Sequence, residues 1–380
     1  MKLTTIIRSA ILASALSASI GSASAQLSIV DPNYSTTSIY TDTDSNSIVS
    51  YDWDAAHNLY YQTAVTSDFS FNLGGFYKVT PSGTTSTIMA GGASNVFAGA
   101  NVVSIGGNIY FNDNTFNSTT FASGYNIYQY NTTDGLSLTS TATNYGISKG
   151  PGNSMYITAA SGGSDHIYYS SSANLASAPP LATLDLGAQN GNSGPLAFDA
   201  EGNLYYAPGF GNLSIFKWTS AQVAAALANP GVMADQLVTG NAGAGGNAQL
   251  WLDYSSIYSP DDFGGGTSLL INGDKLLLTV TEFASTSVLA SFGIDSSTGT
   301  YVTNSSDTIL SDASGLLGEL RTNNGNLYLS DGNQIYLVSA TPEPSSLLLL
   351  ALGMGALFYV RSRKVWRLVP AFATTVFFSR

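Results

Sequence analysis

The sequence predicts an all-β fold, a single β-propeller of six blades, and three observations carry that prediction. First, one motif recurs, a turn residue followed by a short β-branched and aromatic strand. Its copies are Asn58-Leu-Tyr-Tyr, Gly107-Asn-Ile-Tyr-Phe, Asn153-Ser-Met-Tyr-Ile, Gly202-Asn-Leu-Tyr-Tyr, Gly273-Asp-Lys-Leu-Leu and Gly325-Asn-Leu-Tyr-Leu. Second, the Asn or Asp positions 58, 108, 153, 203, 274 and 326 lie 50, 45, 50, 71 and 52 residues apart, a blade-like period. Third, each copy is followed by another strand with a similar face: Gly75-Phe-Tyr-Lys-Val, Asn126-Ile-Tyr-Gln-Tyr, His166-Ile-Tyr-Tyr, Ser214-Ile-Phe-Lys-Trp, Val288-Leu-Ala-Ser-Phe and Gln334-Ile-Tyr-Leu-Val. A β-sandwich or β-solenoid is the alternative, and the long regular period fits either less well.

In chain order, residues 1–25 read as a signal peptide. Lys2 and Arg8 form a positive start, Ile11 to Ile20 a short apolar stretch, and Ala23-Ser24-Ala25 the small residues a signal peptidase requires. Cleavage is expected between Ala25 and Gln26. The propeller then occupies 26–340. Its Gly-Asn and Gly-Asp turns suit positive φ, and the residues after them suit a mostly buried strand. Further strands are expected at Thr85 to Met89 and Leu181 to Leu186. The 71-residue spacing leaves room for an insertion or a seventh blade. Within it, Ser220 to Asn229 reads as a helix with Ser220 as N-cap and Pro230 as terminator, while Gly240 to Gly246 and Gly264 to Gly266 read as loops. A ring must close or leave an edge unpaired. Gln26 to Tyr40 is the segment expected to supply the outer strand that the last unit lacks.

Residues 341–364 form a different unit. Pro342-Glu343-Pro344 holds the chain extended, because two prolines lack N–H groups. Ser345 to Val360 is an uncharged run of 16 residues, about 24 Å as a helix against a bilayer core of about 30 Å. Arg361, Arg363 and Lys364 close it and place the C-terminus in the cytoplasm, so this is a transmembrane helix with the body outside. Residues 365–380 are an extension beyond it.

The order Pro-Glu-Pro, apolar helix and Arg-rich end resembles the PEP-CTERM sorting signal of Gram-negative bacteria. That resemblance implies an exosortase that recognises Pro342 to Pro344 and removes the tail, passing the protein from the inner membrane to the cell surface. The extension over Val365 to Arg380 departs from the usual pattern. The body resembles, in architecture alone, the NHL- and SMP-30-like propellers.

Composition narrows the chemistry. There is no cysteine, hence neither disulfides nor thiolate metal sites. Seven of the 12 Lys and Arg lie in the two ends, leaving Lys78, Lys149, Lys217, Lys275 and Arg321 against 24 acids, a balance of −19. Such a body repels phosphate backbones, which excludes nucleic acid as a partner. The two histidines, His57 and His166, each precede a strand and read as turn or surface residues. No nucleophile elbow, zinc ligand set or phosphate-cradling loop is present.

Carboxylates remain. Asp42-Thr-Asp44-Ser-Asn46 alternates oxygen ligands as calcium favours, and Asp261-Asp262 sits beside a glycine run; solvated acidic loops are the plainer reading of both. Asp52, Asp54, Asp199 and Asp253 are acids that nothing in the sequence pairs, and Glu201, Glu282 and Glu319 are the glutamates of the body besides Glu343. Trp53, Trp218 and Trp251, if exposed, would stack on sugar rings, although aromatics on strands are mostly core fillers. Taken together, the sequence reads as an exported surface or extracellular-matrix protein without enzymatic activity or an obligate cofactor. Its propeller is expected to bind exopolysaccharide, as in a biofilm matrix, or another surface partner. The alternative is an extracellular hydrolase or lyase acting on glycans.

Overall fold

The structure, a computed structural model, describes residues 27–341 apart from 45, 68–69, 92–95, 118–121, 142–143, 145, 162–163, 171–181, 188–193, 210–212, 229–232, 235–247, 259–264, 282–285 and 314–316, together with Met354. The expected signal peptide with Ala23, Ala25 and Gln26, the segment Pro342 to Lys364, the extension, and Asp261 and Asp262 therefore lie outside the described residues. No described helix is long and apolar enough to cross a membrane.

The chain begins with two short strands, β1 (Leu27–Ile29) and β2 (Tyr34–Thr41), that join sheets completed much later. Sheet 1 follows as β3 (Ser47–Trp53), β4 (Leu59–Ser67), β5 (Ser70–Val79) and β6 (Thr85–Ala90). Sheet 2 is β7 (Val96–Ile105), β8 (Asn108–Asn117), β9 (Ala122–Asn131) and β10 (Gly135–Ser140). Sheet 3 is β11 (Gly146–Gly150), β12 (Ser154–Ser161), β13 (Ser164–Ser170) and β14 (Ala182–Gly187). Sheet 4 begins with β15 (Leu196–Phe198), β16 (Leu204–Tyr206) and β17 (Ser214–Trp218); the chain then forms helix α1 (Ser220–Ala228) and β18 (Met233–Ala234), which joins sheet 3 in parallel with β14, before β19 (Gln249–Asp253) returns to β17 and completes sheet 4. Sheet 5 is β20 (Gly265–Asn272), β21 (Lys275–Thr281), β22 (Ser287–Gly293) and β23 (Asp307–Asp312), with β1 added on its outer edge. Sheet 6 is β24 (Leu317–Asn323), β25 (Asn326–Asp331), β26 (Gln334–Ala340) and, outermost, β2.

The first strands β3, β7, β11, β15, β20 and β24 touch one another in succession, and β24 returns to β3, so the sheets stand around an axis as a single all-β propeller. The N-terminal segment closes the ring as expected: β2 runs antiparallel to β26 from Tyr34↔Ala340 to Thr41↔Gln334. Joining first and last segments leaves β26 no open edge, the usual hazard of a sheet.

The core follows from this plan. It is six apolar slabs, one between each pair of successive sheets, rather than one central mass. Between sheets 1 and 2, Phe76 stacks on Phe111 with ring centroids 4.0 Å apart, and Tyr60, Val102 and Ile109 complete the layer. Aromatics at the motif positions are thus fillers between blades, and offset ring pairs add about 0.5–1.5 kcal/mol beyond their area. The turns carry the predicted backbone. Gly106 and Gly107, with φ of 59° and 85°, join β7 to β8, and Asn324 and Gly325, at 51° and 76°, join β24 to β25. Positive φ at both central residues matches the twist of flanking strands, which is why Gly and Asn recur there.

Three sequence expectations need correction. Gly265 and Gly266, expected in a loop, open β20 instead. The N-cap of α1 is Thr219, not Ser220. Thr219 Oγ1 accepts from the Gln222 N–H at 3.3 Å while Gln222 Oε1 accepts from the Thr219 N–H at 2.8 Å, a reciprocal box that a Ser220 cap would forgo. Among the described residues, the long 203-to-274 interval holds α1 and β18, the insertion that was one of its two expected contents. Finally, His166 lies within β13 instead of before it, opposite Ala159 and Asp185. His57 is the turn residue expected, exposed and at φ 61°.

Candidate functional site

A strand lining the axis sets its alternate side chains toward its neighbours on either side, so a polar residue on it meets the next sheet. Four first strands carry such a residue: Ser50 on β3, Asn101 on β7, Ser268 on β20 and Glu319 on β24. Glu319 is the hub. Its Oε1 accepts from Ser268 Oγ at 2.8 Å and from Arg321 at 2.7 Å, and its Oε2 accepts from Ser50 Oγ and Asn101 Nδ2, both at 3.3 Å. One buried carboxylate therefore ties sheets 5, 6, 1 and 2 together.

Arg321 lies two residues beyond Glu319 on the same side of β24. Its Nε donates to the Tyr51 carbonyl at 3.1 Å and a terminal nitrogen donates to the Val102 carbonyl at 2.8 Å. Asp52 completes the charged part: its Oδ1 accepts from the Trp53 N–H at 2.8 Å and its Oδ2 from the Ser104 N–H at 2.7 Å. Asn101 passes the belt onward, accepting from the Ile147 N–H of β11 at 3.0 Å. Asn112 binds the Asn101 N–H at 3.1 Å and donates to Asn144 at 3.1 Å.

Burial pushes the Glu319 carboxyl up, against Arg321 and the two serine hydroxyls, which favour its ionised form. Asp52 is likewise pushed up by burial, with Arg321 and the two backbone donors opposing. These are signs of an interior charge held by partners. A carboxylate accepting four hydrogen bonds has no lone pair left for a substrate proton, and a guanidinium spread over three sheets is fixed in place.

A second acid pair lies between sheets 5 and 6. Asp312 ends β23 and Asp331 ends β25, and both are fully buried. Burial first, then the charge and hydrogen bond of Asp312, push the Asp331 carboxyl up to about 8. A neighbouring carboxylate in a dry site disfavours a second negative charge, which holds Asp331 toward its neutral form. Between sheets 6 and 1 the contrast is plain: buried Asp42 accepts a hydroxyl hydrogen bond from Tyr61 at 2.7 Å.

The other sequence candidates fall as follows. Asp42 is committed to Tyr61 and to the Asp44 N–H at 2.9 Å, Asp44 is exposed and Asn46 half-buried, so the Asp-x-Asp-x-Asn stretch forms a turn between β2 and β3. Among the described residues, no three acids or histidines gather as a metal site. Asp54 and Asp199 do the same work in two repeats. Each accepts the N–H and side-chain amide of the Asn four residues on, Asn58 or Asn203, and the hydroxyl of Tyr60 or Tyr205. Asp253 caps a turn at the Ser255 N–H.

The tryptophans correct a premise. Trp218 is fully buried and Trp251 nearly so, its Nε1 donating to the Gly299 carbonyl at 3.0 Å, so neither offers a face to a sugar. Period-2 alternation puts Trp218 in the slab between sheets 3 and 4 and Trp251 in the next one. Trp53 is half-buried and packs between Tyr51 and Tyr328. Sequence reasoning named Glu319 and Asp52 but not their meeting point, and it missed Arg321 as their partner. The signal was present, since Arg321 is the body's sole arginine and stands at strand spacing from a scarce glutamate.

Slabs between sheets and a polar belt around the axis define the class: a β-propeller with an internally paired centre. Residues 340–364 match the family described as a PEP-CTERM protein-sorting motif, so this propeller carries a C-terminal sorting signal for export, membrane anchoring and exosortase processing. No curated protein sequence matches the chain. Among solved structures, the iodide form of a Trichoderma reesei protein of Carbohydrate-Active Enzymes Family AA12 superposes with a TM-score of 0.51 at 12% identity, covering 83% of this chain and 98% of that one. Its calcium form gives 0.50 at 13%, covering 85% and 100%. A regucalcin from Agrobacterium tumefaciens, titled a calcium-binding protein, gives 0.47 at 10%, covering 80% and 94%. At such identities the likeness is one of fold.

Proposed function

We propose that this chain is an exported surface or extracellular-matrix protein whose propeller serves as a non-enzymatic binding scaffold, and that each of its six sheets is one blade. The observation that carries this reading is the saturation of the axial acids: Glu319 holds four donors and Asp52 two, all across or within sheets. A general acid or base needs a proton-transfer partner within hydrogen-bond reach of substrate, and these groups spend theirs on the ring. The sorting motif supplies the destination, with a signal peptidase acting at the N-terminus and an exosortase at the C-terminus. The expected ligand is an extracellular polysaccharide or another surface partner.

A second reading, a hydrolase or lyase acting on glycans, draws on the fold likeness to an AA12 carbohydrate-active protein. One experiment separates them. The mature protein is incubated with the host's extracellular polysaccharide, and retention and new chain ends are both measured, for the native protein and for Glu319→Gln and Asp52→Asn. Retention without new ends, unchanged in both variants at a temperature where they stay folded, supports the scaffold. New ends that vanish in a folded variant would establish the enzyme.

A further inference from the structure

The place where the chain leaves the propeller is clamped. Beyond the last ladder pair, Ala340↔Tyr34, the Thr341 N–H donates to the Asn33 carbonyl at 2.6 Å and its hydroxyl donates to the Pro32 carbonyl at 3.1 Å. Both acceptors belong to the turn between β1 and β2, which Asp31 stiffens by accepting the Asn33 N–H at 2.9 Å. Fixed structure therefore runs up to the residue before Pro342, leaving no linker between the folded body and the sorting tripeptide.

The tether beyond is short. Ser345, where the apolar run starts, is only four residues from Thr341, a reach of at most about 14 Å. Before processing, the β1–β2 turn must sit close to the membrane surface, and an enzyme reaching the tripeptide must work in that gap.

The same rim holds a cleft of about 360 Å³ lined by Val30, Asp31, Pro32, Ile257, Tyr258 and Asp307. Its edge is unusually apolar for an exposed surface: Val30 is 50% exposed and Ile257 39%, with Ile29 beside them at 46%. Two of its lining residues are acids. The Asp31 and Asp307 carboxyls interact, and burial together with Asp31 pushes Asp307 up while Lys275, which also reaches the Tyr34 hydroxyl at 3.4 Å, opposes. Two near carboxylates flanked by apolar side chains suit a cation on an apolar stem.

We propose that this rim is the docking surface for the membrane-embedded processing enzyme, which sets a basic side chain between Asp31 and Asp307 and an apolar one against Val30 and Ile257. The proposal rests on exosortase processing of the motif and adds to it the part of the folded body that the enzyme meets. Docking holds the tripeptide at a fixed offset, so processing depends on the rim as well as on the tail.

The test uses the full chain expressed with and without the exosortase, reading the processed fraction by intact mass at fixed times. Asp307→Lys and Val30→Asp alter exposed positions outside the tail and the clamp. Each should slow processing at least about threefold with an unchanged melting temperature. A third variant, with about twenty Gly/Ser residues inserted between Thr341 and Pro342, leaves the body untouched and should also slow it, because a longer tether lowers the effective concentration of tripeptide at the docked enzyme. Native-like rates in the insertion variant, or in folded Asp307→Lys and Val30→Asp, would overturn the docking surface while leaving the motif's processing intact. An unprocessed native chain in the presence of the enzyme would overturn the processing itself, and this inference with it.

Discussion

Arg321 is the side chain on which most of the ring's centre depends, because it alone compensates Glu319 with a full charge. Replacing it with Met leaves a buried carboxylate without its ion partner and frees the Tyr51 and Val102 carbonyls. The expected cost is about 3–5 kcal/mol, measured by denaturant unfolding, where a loss under 1 kcal/mol would mean that the belt is not a staple. Asp331 makes the opposite prediction. Its carboxyl is raised from 3.8 to about 8 in the fold, so the folded protein binds this proton more tightly than the unfolded chain. Stability should then fall as pH rises from about 4 to about 8, by at most about 1.4 kcal/mol per unit, and level off above. Asp331→Asn should flatten that slope and raise the melting temperature at pH 8, since an amide can donate to Asp312 without a charge. A steeper slope in the variant would refute the raised Asp331 carboxyl.

Among the elements, β2 has the largest consequence for its length. It is eight residues long, and it is the strand that covers β26. A chain starting after Thr41 should leave β26 as a bare edge and lose cooperative unfolding, with aggregation seen by light scattering. Soluble, cooperative unfolding of that truncation would show that closure is dispensable. Helix α1 gives a smaller effect: Thr219→Ala removes the cap and should cost about 1 kcal/mol. The elements were the most legible part of the sequence, since a turn with positive φ followed by alternating aromatics leaves few other folds. The cap was misplaced because Thr219 and Ser220 are both good caps. Only the reciprocal bond from Gln222 distinguishes them.

At the scale of the whole molecule, the two ends of the chain meet. β2, close to the N-terminus, and β26, the strand that precedes the sorting motif, are hydrogen-bonded to one another, so the outer edge of sheet 6 lies beside that motif. Mature protein isolated from its native host should therefore have a mass running from Gln26 to the 342–344 region and should unfold at the same temperature as the precursor. A drop of several degrees on processing would mean that the tail contributes to the fold. The repeated period foretold the ring, and the N-terminal segment was recognisable as its closing strand because the last repeat was one strand short. The centre was less legible. Glu319, Arg321 and Asp52 lie on β24 and β3, some 270 residues apart in sequence, and no local pattern pairs them.

By itself, the sequence determined the C-terminal sorting motif, the acidic body free of cysteine and the repeat of strands, because each rests on local chemistry: an apolar run, charges, turn residues and alternation. The tertiary structure alone decided which carboxylates meet. It turned Trp218 and Trp251 from candidate sugar platforms into core, and it brought the β1–β2 turn to the clamp at Thr341. Those outcomes depend on which sheet packs against which, and closing a ring places side chains together by geometry that sequence distance does not record.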